Sequence, residues 1–136
     1  MTTSTPPLAR ILLVDDQRDI RSIAQLALGK LGGFTLRACA SGEEALRDAQ
    51  GFAPDLVLLD VNMPVLDGMA TLSGLRERGI TVPAVFFTAR LNPDDMARYA
   101  KLGAIGTIAK PFDPLKLGQQ LRGLWAQFHA GNKDAE

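Results

Sequence analysis

Leu56-Val57-Leu58-Leu59-Asp60-Val61-Asn62-Met63-Pro64 holds four apolar residues without a break and ends the run in an acid. A run of this length, closed by the loop signals Asn62, Pro64 and Asp67-Gly68, suits a strand buried on both faces, as in a parallel sheet. Asp60 then stands at the carboxyl end of a central strand, the edge where open α/β sheets bind ligands. Taken alone, an acid here is more readily a turn former that caps the next helix. The remaining strands decide between the two.

Working outward, Ile11-Leu12-Leu13-Val14 is a second unbroken run and ends in Asp15-Asp16. Ile20, Ile23, Ala24, Ala27 and Leu31 then recur at helical spacing, which predicts a helix with that stripe inward, stopped by Gly32-Gly33. Phe34 to Cys39 alternates, with Phe34, Leu36 and Ala38 to one side and Thr35, Arg37 and Cys39 to the other, as expected of a strand at a sheet edge. Ser41 and Glu44 make a capping box that opens a short helix to about Gln50. After Asp60, a helix carrying Met69, Leu72 and Leu75 ends near Gly79, and Val82 to Phe87 is an apolar strand closing in Thr88. Asn92-Pro93-Asp94-Asp95 reads as the cap, first-turn proline and first-turn acids of a helix to about Leu102. Ala104 to Ala109 is a fifth strand ending in Lys110-Pro111. Asp113-Pro114 repeats the cap-then-proline signal before a last helix with Leu117, Leu121, Leu124 and Phe128 on its buried stripe. Strand and helix alternate five times, the pattern of a three-layer, doubly wound α/β fold with a five-stranded parallel sheet.

A chain of 136 residues suffices for one domain with a substantial core. Lys plus Arg and Asp plus Glu each total 15, so the net charge is zero, which argues against a general surface for DNA or anionic membranes. Cys39 and His129 are the only residues of their kinds, so no intrachain disulfide and no Cys/His zinc site can be assembled. Nucleophilic schemes that need histidine would rely on His129, which reads as solvated; Cys39 reads as a strand residue. Residues 1–8 read as a disordered Thr/Ser/Pro-rich tail, 9–128 as the domain, and 129–136 as a polar, frayed tail. With no apolar signal-peptide core and no membrane-length run, a cytoplasmic protein is expected.

The strand ends collect Asp15, Asp16, Asp60, Thr88 and Lys110, remote in sequence but placed on one rim by the fold. Three carboxylates close together repel, and a divalent cation relieves the repulsion. Few hard oxygen ligands suit Mg²⁺ with waters retained. A hydroxyl and an ammonium on the same rim can donate to an anion. Together these parts suit phosphoryl transfer to a carboxylate. Each alone has a plainer reading: Thr88 could cap a helix, and Lys110 could be a solvated charge.

Leu13-Val14-Asp15-Asp16, Leu59-Asp60-Val61-Asn62-Met63-Pro64 with Asp67-Gly68, Phe87-Thr88-Ala89, and Lys110-Pro111-Phe112 resemble the motifs of receiver domains of bacterial two-component response regulators, over about Ile11 to Phe128. The resemblance implies a flavodoxin-like sheet in strand order 2-1-3-4-5. It implies that Asp60 is the phosphoacceptor, and that Asp16, Asp60 and the main-chain carbonyl of Asn62 hold Mg²⁺ (or Mn²⁺), with Asp15 helping through water. Thr88 and Lys110 would bind the phosphoryl oxygens, Asn62 and Arg90 would tune its lifetime, and Lys110-Pro111 would be cis. The family usually has Tyr or Phe three residues before the lysine; here the position is Thr107.

The expectation is therefore a stand-alone, phosphorylation-controlled switch that takes a phosphoryl group from a histidine kinase or phosphotransfer protein. It is not a metabolic enzyme, although it would catalyse its own phosphorylation and dephosphorylation. The alternatives are an intermediate carrier in a phosphorelay and a Mg²⁺-dependent aspartyl-phosphate phosphatase. Against the phosphatase, Asn62 stands where such enzymes carry a second acid. A flavin binder would need a phosphate-cradling first loop, which Asp15-Asp16 contradicts. Expected partners are the phosphodonor and an unidentified downstream protein, with no DNA and no membrane. The chain would be a monomer or a weak homodimer through the fourth-helix, fifth-strand, fifth-helix face. Recognition there would rest on Arg98, Tyr99 or Trp125, with Trp125 equally readable as a core residue.

Overall fold

Each unbroken apolar run becomes a strand withdrawn from water. In the computed structural model, which describes residues 6–89 and 92–135, β1 (Arg10–Val14), β3 (Leu56–Asp60) and β4 (Ala84–Thr88) form the centre of a sheet. Every residue of β3 and β4 is buried. The alternating strand β2 (Thr35–Cys39) and the weakly apolar β5 (Ala104–Ala109) lie at the edges, where one side of the pairing is open to solvent. All pairings are parallel, in the order β2-β1-β3-β4-β5.

Side chains of a strand point alternately to its two faces. Ile11, Leu13, Leu56, Leu58, Val85 and Phe87 therefore share one core, and Leu12, Val14, Val57, Leu59, Ala84 and Phe86 share the other. The first core is covered by α1 (Arg18–Gln25) and its π-helical continuation Leu26–Leu31, together with α5 (Leu117–Ala135). The second is covered by α2 (Gly42–Phe52), α3 (Gly68–Glu77) and α4 (Pro93–Lys101). Burying each large apolar side chain stabilises the fold by about 1.5–3 kcal/mol. Side-chain oxygens of Ser41, Asp67 and Asn92 accept from the amides of Glu44, Ala70 and Asp95 at 3.1, 2.8 and 2.9 Å, which fixes where α2, α3 and α4 begin. No helix among the described residues is long and apolar enough to cross a membrane.

The structure corrects four expectations. Along the first helix, Ala24, Ala27 and Leu28 are buried, whereas Ile23 and Leu31 are 43% and 61% exposed. The wider π turns bring Leu28 inward and carry Leu31 out. On α5 the buried stripe is Leu117, Leu121 and Trp125, with Leu124 and Phe128 only half-buried. Trp125 is thus core, and so is Tyr99, which lies against Phe86 with ring centroids 4.7 Å apart. Of the three residues expected to meet partners, Arg98 alone is exposed. Of the two expected tails, residues 1–5 and 136 lie outside the described residues. Trp125 Nε1 donates to the Pro6 carbonyl at 2.7 Å, Leu8 packs on the first core, and α5 continues through Ala135. His129 is half-buried, its ring set edge-on to those of Trp125 and Phe128.

Candidate functional site

A parallel sheet delivers all its strand carboxyl ends to one rim. Val14 pairs with Leu59, Asp60 with Phe87, and Thr88 with Ala109, so Asp15, Asp60, Thr88 and Lys110 follow one another across it. Main-chain bonds just past the ladder hold these backbones: Asp15 N–H to Cys39 C=O at 3.1 Å, Val61 N–H to Phe87 C=O at 3.1 Å, and Lys110 N–H to Thr88 C=O at 3.0 Å. Gly68 N–H donates to the Val61 carbonyl at 2.8 Å, which draws the start of α3 onto the end of β3. Only glycine permits this approach, because a β-carbon at Gly68 would collide with the Asp60 carbonyl oxygen and come within 2.8 Å of Val61 Cα.

The three acids converge. Oxygens of Asp15, Asp16 and Asp60 lie within 4.8 Å of one another, with Asp15 and Asp60 buried and Asp16 exposed at the mouth. Lys110 Nζ reaches across, 2.9 Å from Asp15 Oδ2 and 3.2 Å from Asp60 Oδ1. Burial, followed by the neighbouring Asp15 charge, pushes the Asp60 carboxyl up to about 6, against the opposing pull of Lys110 and the Asn62 amide. Burial pulls the Lys110 ammonium down, but its bonds and charge contacts with Asp15 and Asp60 outweigh this and leave it raised. Asp60, ionised above about pH 6, therefore faces a lysine that stays charged.

A cleft of about 350 Å³ opens over these groups, lined by Asp16, Gln17, Asp60, Asn62, Ala89 and Lys110. Thr88 is buried at the end of β4, and Asn62 is exposed, its amide donating to Asp60 Oδ1 at 3.3 Å. The Lys110-Pro111 bond is cis. Arg90, expected to tune phosphoryl lifetime, lies outside the described residues. Three carboxylates and one ammonium leave two net negative charges on hard oxygen donors, which fits a divalent cation such as Mg²⁺.

Thr107 sits half-buried on β5, its Oγ1 3.8 Å from Met96 Sδ. A slot of about 170 Å³ beside it is lined by Met96, Tyr99, Ala100, Ala104, Ile105, Gly106 and Thr107. The aromatic ring beneath this part of the sheet comes from α4, as Tyr99, rather than from β5.

Two supporting residues went unnoticed in the sequence. Arg21 Nη1 donates to the Asp15 carbonyl at 2.8 Å, and the Gln17 amide donates to Asp15 Oδ1 at 2.9 Å, so the loop bearing both acids is tied to α1. An arginine on the first turn of a helix gives no sequence signal that separates it from a solvated charge.

Compared with known proteins, residues 11–122 match the family model of the response regulator receiver domain. The chain is 36% identical over 115 residues to the transcriptional regulatory protein PrrA of Mycobacterium leprae, covering 85% of this chain and 49% of that one. It is 33% identical over 115 residues to the alkaline phosphatase synthesis transcriptional regulatory protein PhoP of Bacillus subtilis, covering 85% and 48%. The chain thus spans about half the length of these relatives. Among solved structures, the chemotaxis response regulator CheY4 of Vibrio cholerae superposes with a TM-score of 0.79 at 31% identity, covering 87% of this chain and 99% of that one.

Proposed function

The chain belongs to the response regulator receiver family, a family of phosphorylation-controlled switches of two-component systems, and we propose that its phosphoacceptor is Asp60. The observation that carries this is the contact of Lys110 Nζ with both Asp15 and Asp60, at 2.9 and 3.2 Å, within a cluster of three acids. Nothing in a folding argument calls for two buried carboxylates and a lysine at one strand edge. A nucleophile, a counter-charge and a cation site call for all of them.

In the proposed reaction an ionised Asp60 oxygen attacks the donor phosphorus. The new bond is an acyl phosphate, the bond from phosphorus to the donor nitrogen or oxygen breaks, and the leaving group takes up a proton. With its carboxyl poised at about 6, Asp60 is largely ionised at neutral pH. Lys110, freed from Asp60 Oδ1 as that oxygen is esterified, turns to the incoming phosphoryl oxygens and keeps its hold on Asp15. Thr88 supplies a hydroxyl at the next strand end. Asp16 and Asp60, with the Asn62 main-chain carbonyl, would hold Mg²⁺ or Mn²⁺, and Asp15 would support it through water. The bound cation would supply charge neutralisation on the transferring group. Because these parts all come from the receiver, the chain would catalyse much of its own phosphorylation and dephosphorylation.

The donor we assign is a histidine kinase or a histidine phosphotransfer protein. The acting unit is 9–128, extended by the docked Pro6–Leu8 arm and the rest of α5. Intact mass after exposure to a small phosphodonor and Mg²⁺ tests the reading: wild type gains one phosphoryl mass and Asp60→Asn gains none. Equal labelling of the two would overturn it.

A further inference from the structure

Away from the phosphorylation rim, toward the amino-terminal end of β1, lies a second charged cavity. It measures about 380 Å³ and is lined by Arg10, Arg37, Arg47, Asp48, Gly51 and Phe52. Three guanidinium groups and one carboxylate line it.

These arginines are held in place. Arg10 lies 4.3 Å over the Phe52 ring and donates Nε and Nη2 to the Phe52 carbonyl at 3.0 and 2.6 Å. That contact also covers a carbonyl at the end of α2, whose partial negative charge would repel an anion. Asp48 Oδ2 accepts from Arg37 Nε and Nη2 at 3.2 and 2.8 Å, and Oδ1 accepts from Arg47 Nε at 3.2 Å. Both Asp48 oxygens are thus engaged in aiming two guanidinium forks. Among the described residues no bond engages Nη1 of Arg10, Nη1 of Arg37 or either Nη of Arg47. The Arg37 and Arg47 side chains are 53% and 71% exposed, so their spare donors are open to a ligand. A β-carbon on Gly51 would meet nothing within 4 Å, which leaves that wall open. Two acids stand nearby without lining the cavity. Asp55 is occupied by the amides of Ala9 and Arg10, and Glu44 sits beside Asp48 and Cys39.

We propose that this cavity binds a phosphate-bearing small molecule, a phosphate monoester or a diphosphate. Planar guanidinium forks match phosphate oxygens pairwise. Donors already ordered by Asp48 and Phe52 spare the ligand much of the cost of immobilising them. The volume exceeds that of a bare phosphate, so there is room for the group the phosphate is attached to. The site shares no lining residue with the Asp60 cleft, so occupancy does not compete with phosphorylation.

The test is a pyrophosphate titration of the whole chain without Mg²⁺, at about 0.15 M chloride to screen loose ion pairing. The readout is the arginine Nε–H resonances. A saturable shift of Arg10, Arg37 and Arg47, with half-saturation near about 1 mM, is expected. Arg37→Gln and Arg47→Gln, each of which removes an exposed charge and leaves the core untouched, should each weaken it at least about threefold, and the double variant about tenfold. Asp48→Asn, which adds net positive charge but releases the two forks, should also weaken binding. Linear, unsaturated shifts, shifts unchanged in the double variant, or tighter binding by Asp48→Asn would overturn the proposal. So would saturable binding of an oligoglutamate peptide with no response to pyrophosphate.

Discussion

Asp60→Asn should make the metal-free protein more stable, even though it removes the residue on which the proposed chemistry depends. The carboxyl of Asp60 stands at about 6 in the folded chain against an ordinary 3.8, raised first by burial and then by Asp15. A folded state that holds its proton more tightly than the unfolded chain loses stability as the pH rises between those two values. That difference corresponds to about 3 kcal/mol of destabilisation, fully developed above about pH 7 and absent below about pH 3. Asparagine keeps the shape, carries no charge, and can still offer an oxygen to Lys110. Allowing for imperfect replacement, Asp60→Asn should gain about 1–3 kcal/mol at pH 7.5, or about 3–10 °C in Tm for a domain of this size. The gain should vanish toward pH 3.5. Urea or thermal unfolding of both proteins across pH 3.5–8 in EDTA measures it. Millimolar Mg²⁺ should then narrow the gap, because a cation held by the native acids stabilises wild type more than the variant. A variant less stable than wild type at pH 7.5, or a gap that does not change with pH, would refute the argument that Asp60 is held ionised at a cost.

Three further outcomes follow from the same rim. Lys110→Ala leaves Asp15 and Asp60 buried without their counter-charge, so it should destabilise the metal-free protein by about 2–4 kcal/mol at pH 8 and by less at pH 5, read from denaturant midpoints at the two pH values. Gly68→Ala forces a β-carbon onto the Asp60 carbonyl; unfolding should show a loss of about 2–3 kcal/mol, and phosphodonor kinetics should show slower labelling. Arg21→Gln removes the charged donor on the Asp15 carbonyl, worth about 1 kcal/mol. If that bond orders the acidic loop, the Mg²⁺ Kd from calorimetry should rise up to about fivefold, with Arg21→Lys recovering part of it.

The strands and the site were readable for one reason: in a parallel sheet buried on both faces, an apolar run ends where the core ends, and the next residue stands on the rim. Asp15, Asp60, Thr88 and Lys110 all obey this. What escaped depended on geometry that periodicity does not encode. The π turns of Leu26–Leu31 shift which residues face inward without any change in composition. On α5, the stripes 117-121-124-128 and 117-121-125 are both helical, and only the docking of Pro6 and the neighbouring ring of His129 favour the second. Arg76 was silent too. Its guanidinium donates to the carbonyls of Ile80, Val82 and Leu102 at 3.0, 2.7 and 3.2 Å, joining loops whose nearness only the fold creates.

Trp125 is the chain's only tryptophan, and its indole is fastened to Pro6, just before the amino-terminal end of β1. The proposed chemistry occupies the carboxyl-terminal ends of the strands, the opposite side of the sheet. Intrinsic fluorescence of this protein is therefore a gauge of the amino-terminal arm. Trimming the chain to begin at Ala9 should shift the emission to longer wavelength as water reaches the indole. Phosphorylation should leave the spectrum nearly still, and a change on phosphorylation would be an optical sign that α5 itself moves.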